Sequence, residues 1–332
     1  VSQNIPLSQD EILALLYLPY FRIPNQLSPF YPLQLHQTGA DLNFPEDGFS
    51  LLEEKELWDS HSQELTLEAR KMFVPVFSPS ARVMLFRGAY ALTPFQEFYI
   101  FKKYVVQYFE SAEPGFRALE EKNLVEHMRK IFSDKRTPFT ENRLSLFEPE
   151  YIGLMLLCQL RIEGETPDLN RILQDFQQKI YGGGIDMPIL GKLRAEERNR
   201  NPALREDVLA RAVESLLSEG FISSTTNATL EPAPLIEDLF TKIHHTKGLY
   251  LIREEFDGEQ ILAREASIFP GDRGYFVGRC SYHQQFQTRI VHIEDLEWHT
   301  LYRLINEIVR HRDYLPQLTL EVTRRFRAHL RC

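Results

Sequence analysis

The order of pattern elements in this 332-residue chain runs through twice, once over residues 7–132 and again over 146–309. Each copy opens with an apolar run behind an acidic start. In the first, Leu7-Ser8-Gln9-Asp10-Glu11 precedes Ile12–Leu16. In the second, Leu146-Phe147-Glu148-Pro149-Glu150 precedes Tyr151–Leu157. A Gly-Phe step follows in each, Gly48-Phe49 and Gly220-Phe221, and then a strand-like run, Val83–Phe86 and Leu249–Ile252. More strand signal lies at Phe98–Tyr108 and Tyr275–Val291, and each copy closes on an amphipathic stretch read as a helix, Arg117–Phe132 and Ile293–Val309. A period this long exceeds that of solenoid repeats, so the pattern reads as a duplicated unit. The expected fold class is α+β, a pseudo-twofold pair of units built from helices and antiparallel sheet. The expected layout is a first repeat over 1–135, a second over 136–312 with an insertion at 161–203, and a C-terminal basic amphipathic helix over 313–332.

Bulk properties narrow the class. The chain is 43% apolar and 26% charged, ordinary for a globular protein. Its 23 Phe supply a large core or an aromatic binding surface. A net charge of −9 opposes nucleic-acid phosphates. Cys158, Cys280 and Cys332 are an odd, scattered set, which is no disulfide framework and suits a reducing, cytoplasmic setting. The N-terminal apolar run lacks a basic lead, so no signal peptide is expected. The apolar run Tyr151–Leu160 is too short to span a bilayer.

Residues 19–47, rich in Pro and aromatics, read as ordered loops with a short helix. Residues 51–73 carry helical spacing, ended by Pro75 and Pro79. Phe98–Glu110 fits helical and strand periods alike, and its place in the repeat favours strand. Within the insertion, a helix (Leu169–Ile180) leads to Gly182, Gly183 and Gly184, then to Met187, Ile189 and Leu190, then to a charged helix (Lys192–Asn199). Three glycines beside apolar side chains are expected to form a mobile interaction loop. The segment Arg205–Phe221 reads as a helix capped by Gly220. With the polar strand Ile222–Leu230 it resembles the recognition helix and wing of a winged-helix unit. Arg205 and Arg211 on that helix are outnumbered by Glu206, Asp207, Glu214 and Glu219, a poor surface for phosphate.

Motifs for chemistry do not emerge. The triple glycine lacks the Gly-Lys-Ser/Thr of a phosphate loop. Cys280 and His283 form one pair of metal-ligand spacing, while His292, His299 and His311 supply no matching second pair. Acidic doublets such as Glu53-Glu54 and Glu254-Glu255 diverge on a helix or a strand and read as solvated charge. No catalytic residue, metal site or cofactor is assigned. In the last segment Leu318, Val322, Phe326 and Leu330 recur every four residues among Arg324, Arg325, Arg327 and Arg331, a basic amphipathic helix. It is expected to dock on the acidic body of its own chain, with a partner or a membrane surface as the alternatives. The candidate partner-binding residues are therefore Gly182, Gly183, Gly184, Met187, Ile189, Leu190, Phe326 and Leu330.

The order of elements resembles the EspG-type chaperones of type VII secretion systems. The likeness lies in Leu7–Leu16, Gly48, Val83–Phe86 and Arg117–Phe132, and in their partners Leu146–Leu157, Gly220, Leu249–Ile252 and Ile293–Val309. It is a likeness of architecture over most of the chain, carried by no motif, so no residue role transfers with it. It implies a non-catalytic adaptor or chaperone that holds a helical or extended segment of another protein on its sheet and loops. The alternatives are a winged-helix regulator that touches nucleic acid, and an enzyme whose site is assembled from scattered residues.

Overall fold

Two four-stranded meanders meet edge to edge in one antiparallel sheet. In this computed structural model the described residues are 4–37, 44–87, 93–111, 113–131, 143–245, 248–256, 261–270, 274–283, 287–296 and 298–309. The first copy runs β1 (Ile5–Pro6), α1 (Gln9–Tyr17), α2 (Tyr31–Gln37), α3 (Glu46–Glu54), β2 (Trp58–Asp59), β3 (Glu64–Leu65) and α4 (Leu67–Phe77). The meander β4 (Ala81–Arg87), β5 (Gln96–Phe101), β6 (Tyr104–Phe109) and β7 (Gly115–Glu120) follows, closed by α5 (Glu121–Ile131). The second copy runs β8 (Arg143–Phe147), α6 (Glu148–Ile162), α7 (Leu169–Tyr181), β9 (Ile185–Met187), β10 (Gly191–Leu193), α8 (Glu206–Ser218), β11 (Ile222–Ser224), β12 (Leu230–Pro232) and α9 (Pro234–His245). Its meander is β13 (Leu249–Phe256), β14 (Ile261–Pro270), β15 (Tyr275–His283) and β16 (Thr288–Leu296), closed by α10 (Trp298–Val309).

The ten-stranded sheet has the order β1-β7-β6-β5-β4-β13-β14-β15-β16-β8, a palindrome about the β4–β13 pair. Val83–Phe86 and Leu249–Ile252 are thus equivalent strands and direct neighbours, with Leu85 opposite Leu251 and Met84 opposite Ile252. Strand alternation sorts their side chains onto two faces. Val83, Leu85, Leu251, Ala266, Ile268 and Val277 point to one face, which α5 and α10 cover with Leu124, Val125, Met128, Leu301, Leu304 and Ile305. The other face carries two helical lobes. The first packs Phe21, Phe30, Phe73 and Phe77 on Tyr99, Val106 and Phe116. The second packs Leu154, Leu157, Leu209 and Phe240 with Phe269, Phe276, Val291 and Ile293. The α+β class and the pseudo-twofold order are as expected. The boundaries at 135 and 312 and the C-terminal segment 313–332 lie outside the described residues.

The acidic starts perform one job in both copies. The Glu11 carboxylate accepts the Ser8 N–H at 2.7 Å, and the Glu150 carboxylate accepts the Phe147 N–H at 2.9 Å. Each glutamate closes the first turn of its helix by satisfying a donor the helix cannot.

Several local readings change. The closing helices begin later than their periodicity indicates, because Gly115–Glu120 and Thr288–Leu296 are strands. Phe116-Arg117-Ala118-Leu119 fits either period, and burying Phe116 under the first lobe decides for strand. Residues 51–73 divide into the end of α3, the β2–β3 hairpin and α4, and α4 continues through Pro75 to Phe77. Lys192–Asn199 is not a helix. Its start pairs with β9 and only Ala195–Glu197 makes a 3-10 turn.

Gly48 and Gly220 are not equivalent. Gly48 lies inside α3, pressed against α1, where a Cβ would come within 2.3 Å of the Asp10 carbonyl oxygen. The matching helix contact in the second copy uses a glycine on the other partner, Gly153 of α6, where a Cβ would meet Val213 of α8 at 3.0 Å. The counterpart of Gly220 is Glu56. Gly220 (φ 77°) and Glu56 (φ 59°) both hold the left-handed position that ends a helix. The Phe221 N–H reaches the Leu216 carbonyl at 3.0 Å, and the Leu57 N–H reaches the Leu52 carbonyl at 2.8 Å. Both copies thus end this helix with the same six-to-one bond. Glu56 pays a Cβ penalty that Gly220 avoids, on the order of 1–2 kcal/mol. Glu56→Gly is expected to raise the unfolding free energy by about 0.5–1 kcal/mol and Gly220→Ala to lower it by about 1 kcal/mol, opposite signs measurable by urea titration.

Candidate functional site

The central strip of the lobe face lies between the two helical lobes. Alternation and register place its side chains in rows across β5, β4, β13 and β14. One row reads Phe86, Tyr250 and Ser267. The next reads Glu97, Met84, Ile252 and Glu265. The third reads Tyr99, Arg82, Glu254 and Ala263, and Phe256 and Ile261 follow. Phe86, Tyr250 and Ile252 are half-buried, and the Phe86 and Tyr250 rings lie 6.1 Å apart.

The polar side of the strip is acidic. Arg82 bonds Glu254 through Nε at 3.0 Å and Nη2 at 2.5 Å, and lies 3.6 Å from Glu97. One guanidinium thus faces two carboxylates, and Glu265, which accepts the Tyr250 hydroxyl, adds a third. Burial raises the pKa of Glu97, against the lowering effect of the Tyr99 hydroxyl and Arg82. Burial and then Glu97 push Tyr99 up, while burial and then Glu265 push Tyr250 up. Both phenols stay protonated, and Tyr250 donates its hydroxyl to Glu265. Sequence reasoning gave none of these residues a functional role, and the Glu254-Glu255 doublet read there as solvated charge is largely covered instead, Glu254 paired with Arg82 and Glu255 with Arg253 across the two faces of the sheet. The available signal was strand alternation across the central pair, which requires the pairing to be known.

The glycine loop lies elsewhere and is built differently from expectation. Met187, Ile189 and Leu190 are 2%, 3% and 6% exposed, so they belong to the core and not to a projecting loop. Three carbonyls of the β9–β10 turn are tied down. The Pro188 oxygen accepts the Tyr151 hydroxyl at 2.5 Å, Ile189 the Cys280 thiol at 3.7 Å, and Leu190 the Arg289 guanidinium at 3.1 Å. Arg289 itself pairs with buried Glu148 at 2.5 Å. Ile189 has φ 74° and is spanned by a bond from the Leu190 N–H to the Pro188 carbonyl at 2.9 Å, a strained three-residue turn. Its side chain fills the space above Gly278, where a Cβ would come within 2.2 Å of the Ile189 Cδ1. Gly182 and Gly183 are exposed at the end of α7, and Gly184 starts the turn into β9. Phe326 and Leu330 lie outside the described residues.

Cys280 and His292 cannot share a metal, because strand parity sends them to opposite faces of the sheet. His292 is buried on the helix-backed face. Its Nδ1 meets the Ser145 hydroxyl at 2.9 Å and its Nε2 the Ser281 hydroxyl at 3.0 Å, beside the Arg279–Glu294 pair at 2.9 Å. Burial and then Arg279 lower its pKa to about 4, so the ring is neutral, one nitrogen donating and the other accepting. Two hydroxyls and no carboxylate orient it, which suits structure rather than base catalysis. Near α8, Arg205 and Arg211 both pair with Asp207, at 2.9 and 3.0 Å, so the helix that resembles a recognition helix spends these cations on its own chain. Among the described residues no helix is long and apolar enough to cross a membrane.

No protein-family model matches the chain, and no curated protein matches it. A solved structure similar to it is that of the Mycobacterium tuberculosis type VII secretion system chaperone EspG5 in complex with the PE25–PPE41 dimer. That similarity covers 95% of this chain and 99% of that chain, with a TM-score of 0.45 and 8% identity. It is a chaperone of the kind whose element order the sequence resembles, and at that identity no residue role passes from it.

Two measurements check this reading. Gly278→Ala is expected to cost about 1–3 kcal/mol by displacing Ile189. Adding Ile189→Ala should recover part of that loss, a coupling visible in a double-mutant cycle of urea midpoints. The second concerns His292. Its folded pKa lies below the ordinary 6.5, so its stabilisation is complete above pH 6.5 and is lost as pH falls towards about 4. The difference in unfolding free energy between wild type and His292→Asn should therefore shrink by about 3 kcal/mol across that window and stay level above it.

Proposed function

We propose that this chain is a non-catalytic adaptor or chaperone of the cytoplasm, and that it holds a helical or extended segment of another protein against the central strip. The observation that supports the reading is the character of that strip. Phe86, Tyr250 and Ile252 are half-buried in the middle of a sheet whose flanks are each covered by a helical lobe. Half-exposed aromatic and aliphatic side chains with a charged rim are the composition of a protein-binding patch. The rim holds Glu97, Glu254 and Glu265 against Arg82, so the preferred segment is apolar with basic flanks. The free thiols Cys158 and Cys280, both raised to about 12 chiefly by burial, are compatible with a reducing compartment.

The test is site-specific photo-crosslinking in the native cell. A photoreactive phenylalanine at Phe86 or Tyr250 is expected to capture a discrete protein, whereas the same group at exposed Tyr181 on the second lobe should not. Ile252→Glu should weaken capture by at least about tenfold without lowering the thermal midpoint, since it places a charge in the contact. Equal capture from all three positions, or none from Phe86 and Tyr250, would contradict the reading.

A further inference from the structure

The middle row of the central strip is symmetric about the seam. It reads Glu97, Met84, Ile252 and Glu265 across β5, β4, β13 and β14, so two carboxylates bracket two apolar side chains. Neighbouring strands lie about 4.8 Å apart, which sets the two glutamates roughly 14 Å from one another. An α-helix with its side chains is about 10–12 Å across. A helix laid along the seam therefore fits between the carboxylates, with its apolar stripe on β4 and β13 and one flank towards each glutamate. Along the seam the strip runs from Tyr250 to Phe256, about 20 Å of strand. Its charge is unbalanced, since Glu97, Glu254 and Glu265 all face Arg82 or lie beside it on the same strip.

One segment of this chain carries the complementary pattern. Residues 318–331 lie outside the described residues, and their sequence places Leu318, Val322, Phe326 and Leu330 at four-residue spacing. Four helical residues turn about 400°, so these side chains share one face of a helix. Arg325 and Arg327 then stand about 100° to either side of Phe326, a cation on each flank of the stripe. From Leu318 to Leu330 such a helix is about 18 Å long, close to the length of the strip. The segment holds Arg324, Arg325, Arg327 and Arg331 against Glu321, in a chain of net charge −9. α10 ends at Val309 on the helix-backed face. The stretch from there to Leu318 spans up to about 30 Å when extended. Helices on opposite faces of one sheet are separated by roughly 20 Å, so the segment can reach the strip.

We propose that residues 318–331 of this chain lie as a helix along the seam and occupy the central strip, so that a protein partner enters as this segment leaves. Charge on both flanks specifies the occupant. A helix with arginine on one side of its stripe alone would leave one of the two bracketing carboxylates unmatched. The segment would cover Phe86, Tyr250 and Ile252, the same side chains that a partner would use. The proposal concerns the regulation of the partner-binding strip and rests on that reading.

The experiment uses the purified full chain with a photoreactive phenylalanine at Phe86. Illumination is expected to join that position to a peptide within 318–331, identified by mass spectrometry, in a yield independent of protein concentration. The same group at Tyr181 should give no such product. Phe326→Asp should lower the yield by at least about tenfold. A charge swap separates docking from a folding defect. Glu265→Lys should lower the yield several-fold, and either Arg325→Glu or Arg327→Glu, but not both, should restore it, because one flank of a helix faces β14 and the other faces β5. In the native cell, Phe326→Asp should raise capture of a partner at Phe86 several-fold, since the competing segment no longer holds the strip.

Crosslinks from Phe86 that avoid 318–331 would overturn the proposal. So would a yield that rises with protein concentration, rescue by both arginine variants or by neither, or partner capture unchanged by Phe326→Asp. The broader reading fails separately. A partner captured in the cell without the internal crosslink sinks this proposal alone. An internal crosslink with no partner captured by either form sinks the partner-binding reading, and the docking then stands as a contact within the fold.

Discussion

The backbone ladder between β4 and β13 is the interaction on which the rest of the structure depends. It runs from Ala81 opposite Glu255 to Arg87 opposite Leu249, and it joins the two copies at the centre of one sheet. Because the pair is antiparallel and made of equivalent strands, it imposes the twofold relation on everything attached to it. β5 and β14 must lie outward of it, then β6 and β15, and the closing helices α5 and α10 arrive on the same face, where they touch. The core under those helices takes Val83 and Leu85 from one copy and Leu251 and Ala266 from the other. Neither copy completes that core alone. The Arg82–Glu254 pair crosses the same seam on the opposite face.

That geometry also makes the central strip. Each helical lobe precedes its meander in the chain and folds back over the outer strands of its own copy. Tyr99, Val106 and Phe116 lie under one lobe and Phe276, Val291 and Ile293 under the other. The strands nearest the seam lie between the lobes, which leaves Phe86, Tyr250 and Ile252 half-buried. The central strip and the stabilising ladder are therefore two consequences of one pairing.

How far the sequence reveals this follows from the range of each signal. The repeat was legible in Val83–Phe86, Leu249–Ile252 and the two acidic helix starts, because strand-forming runs and capping glutamates act over a few neighbours. Other features depend on contacts distant in sequence. Phe116 and Ile293 read as helical until their strand partners are known. Gly48 looked like the match of Gly220 because both precede phenylalanine, yet one glycine relieves a helix crossing and the other ends a helix. The true match, Glu56, is invisible to residue type, since glutamate rarely adopts positive φ. Ile189 illustrates the same limit. Three glycines suggested mobility, while its burial depends on Gly278, far away in the chain. The strip itself is written only in alternation across four strands, so no local window contains it.

Native-state hydrogen exchange resolved to single amides tests the central claim most directly. If the ladder holds both copies together, the amides of Val83–Leu85 and Leu251–Arg253 that bond across the seam should exchange only through global unfolding. Their opening free energies should then match one another and equal the stability measured by denaturant. Seam amides that exchange far more readily than the cores of the two lobes would mean that the copies open independently about β4 and β13, and would contradict the account.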